Sequence, residues 1–149
     1  MSIEQELLEV LDRHLRSIWT CDLDTYAATT APDVTFYEWY ISTQRIDGLD
    51  FHLRELAAMA KAVESSRAAG QSRAIEHEVL APHVQVYGEV AILTFTLLMR
   101  YTSARGVTHT QQNETRVFQH REAGWQLVHC HKSPMWPAPL EPCQCKDHS

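Results

Sequence analysis

Basic side chains concentrate in one stretch near the end of the chain, NETRVFQHREAGWQLVHCHKSP, residues 113–134. Two segments of strand-like composition, joined by a turn that contains glycine, carry Arg116, His120, His129, His131 and Lys132. Guanidinium and ammonium groups bind carboxylates, and imidazole can bind zinc or transfer a proton. The stretch is therefore compatible with a metal site, a catalytic site, an anion pocket, or a hairpin that is merely rich in histidine.

Strand geometry divides these bases between two faces, because successive side chains of a strand point in opposite directions. Val128, Cys130 and Lys132 fall on one face, whereas Leu127, His129 and His131 fall on the other. If Lys132 faces a cavity, the two histidines face away from it. We expect them on the side that meets another subunit or a neighbouring segment.

A zinc site is one interpretation of the pair His129 and His131 together with Cys143 and Cys145 in the tail. Imidazole and thiolate are good zinc ligands, but the Cys-x-Cys spacing is tighter than the usual spacer of about two to four residues. The alternative is a pair of interface histidines and a tail with free thiols. We expect the alternative, and hence no resident metal and no other cofactor.

An enzyme with this sequence would need a general acid or base in a cavity, and Glu38 and His52 are the candidates. A carboxylate buried in apolar surroundings acquires a raised pKa that suits the proton transfers of an isomerase, a cyclase or a dehydratase. The competing interpretation is that His52 is a satisfied histidine at the start of a helix and that Glu38 pairs with a nearby base. The residues alone leave both interpretations open.

The elements that must position these side chains begin with helices. Ser2 and Gln5 have the form of a capping box at the start of an amphipathic helix. Asp22 can cap a second helix over residues 23–29, and Asp50 can cap a third. The sequence therefore predicts three helices in the first half of the chain.

Strands fill most of the remainder. The segment VTFYEWYIS, residues 34–42, is rich in β-branched and aromatic residues. Four later segments are separated by Gly88, SARG and EAGW, whose glycines can supply a positive φ in hairpin turns. Three helices followed by such a meander predict an α+β domain, in which the helices pack on a strongly curved, mostly antiparallel sheet.

Composition restricts the class of protein. The 149 residues, 44% of them apolar, suffice for one compact domain at residues 1–134, followed by a proline-rich extension at residues 135–149. A formal net charge of −6 with dispersed lysines and arginines favours neither nucleic acid nor a membrane as partner. The acidic, amphipathic start does not resemble a secretion signal, and four irregularly spaced cysteines indicate a reducing compartment. We therefore expect a cytoplasmic protein.

A homo-oligomer is expected because the helices of such a domain can cover only one face of the sheet. Trp39, Trp125 and Trp136, with Val117 and Leu127, could form an apolar face that another subunit covers. The alternative is that the third helix or the proline-rich extension covers this face within one chain.

Five motifs carry a resemblance to a known family. In order and at nearly the same spacing, DLDTYAATTAPDVTFYE, IDGLDFH, APHVQVYGEVA, ETRVF and GWQLVHCHKS resemble the association (hub) domain of calcium/calmodulin-dependent protein kinase II. The resemblance covers about residues 4–133 and implies the cone-shaped nuclear transport factor 2-like fold, which SnoaL-like cyclases share. Because no kinase domain fits into 149 residues, we expect a free-standing, bacterial relative without kinase activity.

The resemblance also implies an assembly and a ligand. Hub domains form dimers that close into rings, and they carry a deep pocket lined by arginines that accepts small carboxylates. By position, Arg116 matches one pocket arginine, and Lys132 stands where the family has another. The third falls near Leu98, and we expect Arg100, two residues further along the same strand face, to replace it.

The mouth of the implied pocket involves three more residues. His52 in DFH and Glu38 in FYE match family positions there, and Tyr40 is a further candidate in the cavity. Lys132 lacks the two-pronged donor geometry of arginine and would hold a carboxylate less directionally. The resulting hypothesis is a dimer or larger ring whose conical pocket binds a small anionic ligand. The alternative is an enzyme of the same fold.

Overall fold

The computed structural model describes residues 1–139. Within this range three helices and six strands follow one another in the order α1 (Ile3–Trp19), α2 (Leu23–Ala28), β1 (Thr30–Glu38), β2 (Ile46–Asp47), α3 (Asp50–Ala68), β3 (Ala74–Tyr87), β4 (Val90–Ser103), β5 (Gly106–Arg121) and β6 (Gly124–Pro134). The strands form one sheet in the order β2-β1-β6-β5-β4-β3, and only β1 and β6 run parallel among these described strands. The predicted α+β architecture is confirmed.

Capping side chains determine where the first two helices begin. Ser2 and Gln5 form the predicted capping box, because each side chain accepts a hydrogen bond from the backbone N–H of the other, at 3.2 and 2.9 Å. Asp22 caps α2 by accepting from the Thr25 N–H at 3.0 Å. Asp50 does not cap α3 as predicted, since it is the first residue of the helix. The negative charge of Asp50 in the first turn still stabilises α3, because it lies at the positive end of the helix dipole.

Strand β1 starts and ends earlier than the predicted residues 34–42. It includes Pro32 in a stretch where the register with β6 shifts, so this proline lies inside the strand instead of before it. The residues after Glu38 form a turn, in which the N–H of Ile41 donates to the Glu38 carbonyl at 3.0 Å. Glu38 is therefore the last residue of the strand.

The core lies between the helices and the face of the sheet that they cover, which we call the inner face. From α1, Leu7, Leu11 and Leu15 pack against alternate residues of the central strands, among them Leu93 and Phe118. Each of these side chains is at most 1% exposed. Burial of such apolar surface, at ~25 cal/mol per Å², is the main stabilising contribution to the fold.

A bulge in β6 changes which of its side chains face the core. Leu127 and His129 pair with consecutive residues of β5, so Val128 is an extra residue that reverses the alternation. Before the bulge Trp125 and Leu127 are buried, and after it Cys130 is buried. The prediction of an outer apolar face was therefore wrong for Trp125 and Leu127.

The opposite face of the sheet, which we call the outer face, carries Thr35, Tyr37, Thr115, His129 and His131. The Tyr37 ring is 40% exposed and lies against both histidine rings, with centroids 6.1 and 5.1 Å away.

Among residues 1–139, no helix is long and apolar enough to cross a membrane.

Candidate functional site

A cavity of about 700 Å³ opens between the helices and the inner face of the sheet. All three helices and strands β1, β4, β5 and β6 contribute to its wall. The polar part of the wall includes His14, Glu38, His52, Gln112, Arg116 and Lys132. Partly exposed apolar side chains, including Trp39, Ile41, Met135 and Trp136, also line it. The cavity therefore combines a polar interior with an aromatic and aliphatic mouth.

Glu38 is the centre of one buried cluster in this cavity. Its Oε1 accepts from His52 Nε2 on α3, and its Oε2 accepts from Lys132 Nζ on β6 at 2.6 Å. The Tyr40 hydroxyl lies 2.9 Å from Lys132 Nζ and donates to Glu38 Oε2 at 3.2 Å. Glu38 and Lys132 meet because they are register partners in the parallel pairing of β1 with β6.

The donors around Glu38 determine its charge. Burial alone would raise its pKa, but the hydrogen bond from His52 and the ammonium of Lys132 outweigh burial and hold the pKa at about 2. Burial of Lys132 favours the neutral amine, yet the acidic groups around it, Glu38 among them, raise its pKa. Both side chains are therefore charged at neutral pH.

A second buried cluster lies on β5, where Gln112, Glu114 and Arg116 alternate along the strand and so share its inner face. Arg116 Nε donates to Glu114 Oε1 at 2.9 Å, and Arg116 Nη2 lies 2.7 Å from the same oxygen in an ion pair. Gln112 Nε2 donates to the other oxygen at 3.2 Å, and the Cys130 thiol lies 3.7 Å from Oε1. Arg116 is 1% exposed, so its charge is held inside the protein by this carboxylate.

The charges of the two clusters cancel. Burial would raise the pKa of Glu114, but Arg116 and Lys132 lower it, so the carboxylate is ionised. Burial raises the pKa of the Cys130 thiol to about 12, which leaves it neutral at physiological pH. Two buried carboxylates thus face two buried cations. The bases that the sequence analysis assigned to an anion pocket already have acidic partners within the cavity wall.

Three buried polar atoms have no hydrogen-bond partner in the part of the chain that the structure describes: Arg116 Nη1, His52 Nδ1 and His14 Nε2. All three residues line the cavity. Buried polar groups in folded proteins are normally paired with protein or with ordered water.

Arg100 lies outside this cavity, although the sequence analysis expected it there. Its guanidinium contacts Glu76 Oε2 at 3.3 Å and His109 Nε2 at 3.1 Å on the neighbouring strands. The residues of β4 that line the cavity are the odd-numbered ones, including Leu97 and Met99. Leu98 and Arg100 consequently share the other face of the strand, away from Arg116.

The two histidines considered as zinc ligands lie on the outer face. His129 Nδ1 is 2.8 Å from Thr35 Oγ1. Burial lowers the pKa of His129, and the neighbouring His131 lowers it further. Cys143 and Cys145 lie outside the described residues. Within residues 1–139, no group of three or more His, Cys, Asp or Glu side chains could hold a metal ion.

Two residues of the site were not assigned to a cavity from the sequence. Glu114 was not among the residues that the sequence analysis assigned to a pocket, although its position two residues before Arg116 on a strand indicates the same face. His14 follows the apolar residues Val10 and Leu11 at helical spacing, so the pattern of α1 already indicates that it is buried. What neither pattern reveals is that a hollow lies beside them.

The cluster around Glu38 does not favour the enzyme hypothesis. A general base works best when its pKa lies near the working pH, whereas the pKa of Glu38 is about 2. Both carboxylate oxygens are also occupied, by donors from His52, Lys132 and Tyr40. Glu38 is arranged to hold Lys132 and His52 in place, and it is a poor proton acceptor at neutral pH.

Comparison with known proteins places the chain in a family. The family model of the calcium/calmodulin dependent protein kinase II association domain matches residues 3–136. The type II alpha chain of this kinase from Drosophila melanogaster is 30% identical over 131 residues, which make up 87% of this chain and 23% of the kinase. The chain therefore spans less than a quarter of the length of that relative.

Solved structures agree with this match. The CaMKII hub of S. rosetta is 27% identical with a TM-score of 0.68, and the alignment covers 88% of this chain and 95% of the hub. A nuclear transport factor 2-like superfamily protein from Salmonella enterica is 20% identical with a TM-score of 0.63, over 92% of this chain and 94% of the other. This second likeness concerns the fold alone, and it confirms the expected nuclear transport factor 2-like fold. Since the family match extends over almost the whole chain, the protein belongs to the calcium/calmodulin dependent protein kinase II association domain family.

Proposed function

We propose that the chain is a self-associating hub domain whose cavity binds a small monocarboxylate with an apolar body. One observation carries the ligand part of the proposal: Arg116 Nη1 is a buried cationic donor in the cavity wall that has no partner within residues 1–139. A carboxylate oxygen is a strong acceptor for such a donor, because the hydrogen bond is charge-assisted. Lys132, in the same wall, adds a second positive charge nearby.

The charge balance of the cavity supports a ligand with a single negative charge. Each buried cation already has a carboxylate partner, Glu114 for Arg116 and Glu38 for Lys132. A dianion would therefore add much more repulsion than the unpartnered Nη1 group of Arg116 could offset. The apolar side chains that line the rest of the 700 Å³ favour an aliphatic or aromatic body behind the carboxylate.

Self-association, as a dimer or larger ring, is supported by the relatives and by the sheet. The family is named for an association domain, and its solved members include hubs. In the described chain the helices cover the inner face, and Tyr37 and His131 on the outer face remain exposed. A second copy of the chain is the partner we propose for this face.

We also propose a cytoplasmic location. Its support is chemical: Cys21 and Cys130 are free thiols, which persist most readily in a reducing compartment.

Isothermal titration calorimetry with acetate, hexanoate, benzoate and phenylacetate tests the ligand proposal. Replacing Arg116 alone would leave Glu114 buried without its partner, so we choose the double variant Arg116→Met/Glu114→Gln, which removes both charges together. We expect this variant to bind phenylacetate or hexanoate at least about tenfold more weakly, because a hydrogen bond to a charged group is lost. Arg100→Met, outside the cavity, is the matched control and should bind normally. Equal affinity of wild type and double variant would remove Arg116 from the role.

A further inference from the structure

Two histidines lie next to each other on the outer face of the sheet. His129 and His131 are alternate residues of β6, and their ring centroids are 6.5 Å apart. His129 is half-buried, whereas His131 is exposed. Both rings lie against the ring of Tyr37 on β1. The three rings form one group, which we call the outer histidine cluster.

The outer face around this cluster carries no permanent charge. The outward-facing side chains within residues 92–98 of β4, 113–117 of β5 and 129–133 of β6 include no Asp, Glu, Lys or Arg. In the whole chain these four types make up 21% of the residues. Depletion of charged residues distinguishes the centre of a protein–protein interface from the rest of a protein surface. The composition of this face therefore fits a second copy of the chain as its partner.

The side chains that flank the two histidines on the outer face of the described sheet are uncharged. On the β1 side, His129 Nδ1 is 2.8 Å from Thr35 Oγ1, and His131 is the register partner of Tyr37. On the β5 side, the register partners are Val117 for His129 and Thr115 for His131. None of these four neighbours offers a carboxylate that could neutralise a protonated imidazole.

The charges that do reach the cluster oppose its protonation. Burial lowers the pKa of His129, and His131 and Arg45 lower it further, against a hydrogen bond with the Thr35 backbone. Arg45 lies in the segment before β2 and is itself paired with Asp47, at 2.6 Å, so this carboxylate already has a cationic partner. A proton on the cluster would therefore add a positive charge where another cation is near.

We propose that the outer histidine cluster makes self-association dependent on pH: the subunits assemble while His129 and His131 are neutral, and they separate when these histidines are protonated. This inference rests on the proposed self-association through the outer face and adds its regulation. In a contact with two-fold symmetry the same patch of each copy is used by both, so the two clusters lie in one interface. Protonation then places like charges on both sides of a contact that was uncharged.

The direction and the size of the effect follow from the ordinary chemistry of histidine. A group that must stay neutral in the assembly binds its proton more weakly there than in the separated subunits, so assembly is favoured at higher pH and is weakened as the pH falls. Histidine in general has a pKa of about 6.5, so at pH 5.5 each imidazole that the contact keeps neutral weakens the contact about tenfold. One such imidazole from each copy raises the dissociation constant about a hundredfold, and this is the smallest change that we expect between pH 8 and pH 5.5.

Sedimentation velocity on a dilution series at pH 8, 7, 6 and 5.5 tests the proposal, with circular dichroism at each pH to verify that the protein stays folded. Wild type should be assembled at pH 8 and should shift to smaller species as the pH falls. The neutral double variant His129→Gln/His131→Gln should stay assembled down to pH 5.5. His120→Gln, at the exposed end of β5, is the matched control and should dissociate like wild type. Wild type that stays assembled at pH 5.5, or a double variant that dissociates at the same pH as wild type, overturns the proposal.

A second variant requires no change of pH. His131→Lys places a permanent positive charge at the exposed position of the cluster and should be dissociated at pH 8, where wild type and the double glutamine variant are assembled. His120→Lys carries the same charge outside the cluster and should remain assembled. If His131→Lys assembles like wild type, a positive charge on the cluster does not oppose assembly, and the proposal is wrong.

The two levels of the hypothesis fail differently. If wild type is monomeric at pH 8, the proposed self-association itself is wrong. If wild type assembles without regard to the charge of the cluster, only the role of His129 and His131 is wrong.

Discussion

The ion pair between Glu38 and Lys132 should contribute to stability as a unit and not as two independent side chains. Both residues are almost fully buried, at 2% and 8% exposure, and their charged atoms are 2.6 Å apart. The informative perturbations are Glu38→Gln, Lys132→Met, and the two together. Each single change leaves one charge buried without its main partner, whereas the double change removes both charges.

The expected magnitude follows from the pKa of Glu38. Its folded-state pKa is about 2, against an ordinary value of 4.5. At about 1.4 kcal/mol for each pKa unit, this difference corresponds to about 3 kcal/mol of stability at neutral pH. The penalty for leaving Lys132 buried and unpaired brings the cost of Glu38→Gln to ~3–5 kcal/mol. The double variant should cost at least ~2 kcal/mol less than the two single changes combined.

Urea unfolding followed by circular dichroism measures these free energies. The protomer concentration must be the same throughout, because self-association adds to the apparent stability. The exposed pair of Arg45 and Asp47 provides the control, since Asp47→Asn should leave the unfolding midpoint unchanged. If the costs of Glu38→Gln and Lys132→Met simply add in the double variant, the two side chains do not stabilise each other, and our account of the cluster is incorrect.

Three further outcomes are expected. The folded-state pKa of Glu38 lies below its ordinary value of 4.5, so its contribution to stability is present above pH 4.5 and is lost as the pH falls towards 2. Urea midpoints measured at pH 7, 5 and 3 should therefore fall less steeply for Glu38→Gln than for wild type. Ser2→Ala removes the capping box of α1 and should lower the free energy of unfolding by about 1 kcal/mol in the same urea assay, whereas no change would show that the cap is not formed in solution. Tyr37→Glu places a charge on the outer face and should shift the protein to smaller species in sedimentation velocity. The control Tyr87→Glu, at the exposed end of β3, should not. If Tyr37→Glu assembles like wild type, the outer face is not the contact between subunits.

Local patterns in the sequence were sufficient for the elements and for part of the site. The capping residues Ser2 and Asp22 correctly predicted where α1 and α2 begin, because a cap depends only on residues three positions away. Alternation along β6 correctly separated Lys132 from His131, because both residues follow the bulge in regular strand. Predictions of this kind succeed wherever the geometry is set within a few residues.

The misplaced residues depend on information that is not local. The extra residue at Val128 reverses the alternation of β6, and nothing in the run WQLVHCHKS distinguishes a bulge from regular strand. Arg100 was expected in the cavity because it lies two residues after Leu98, which matches a pocket position of the family. Which face of β4 lines the cavity depends on which of its residues the helices cover. That Glu38 reaches Lys132 follows from the parallel pairing of β1 with β6, a contact between residues 94 positions apart.

This pairing between the first and last long strands has a consequence for the protein during its synthesis. While β6 is still inside the ribosome, Glu38 has already emerged, but the ammonium that will neutralise it has not. The hydrophobic residues of α1 and β1 must wait for Trp125, Leu127 and Cys130 to complete their burial. A nascent chain from which β6 has not yet emerged should therefore be sensitive to protease over its whole length, and protection should arise in one late step.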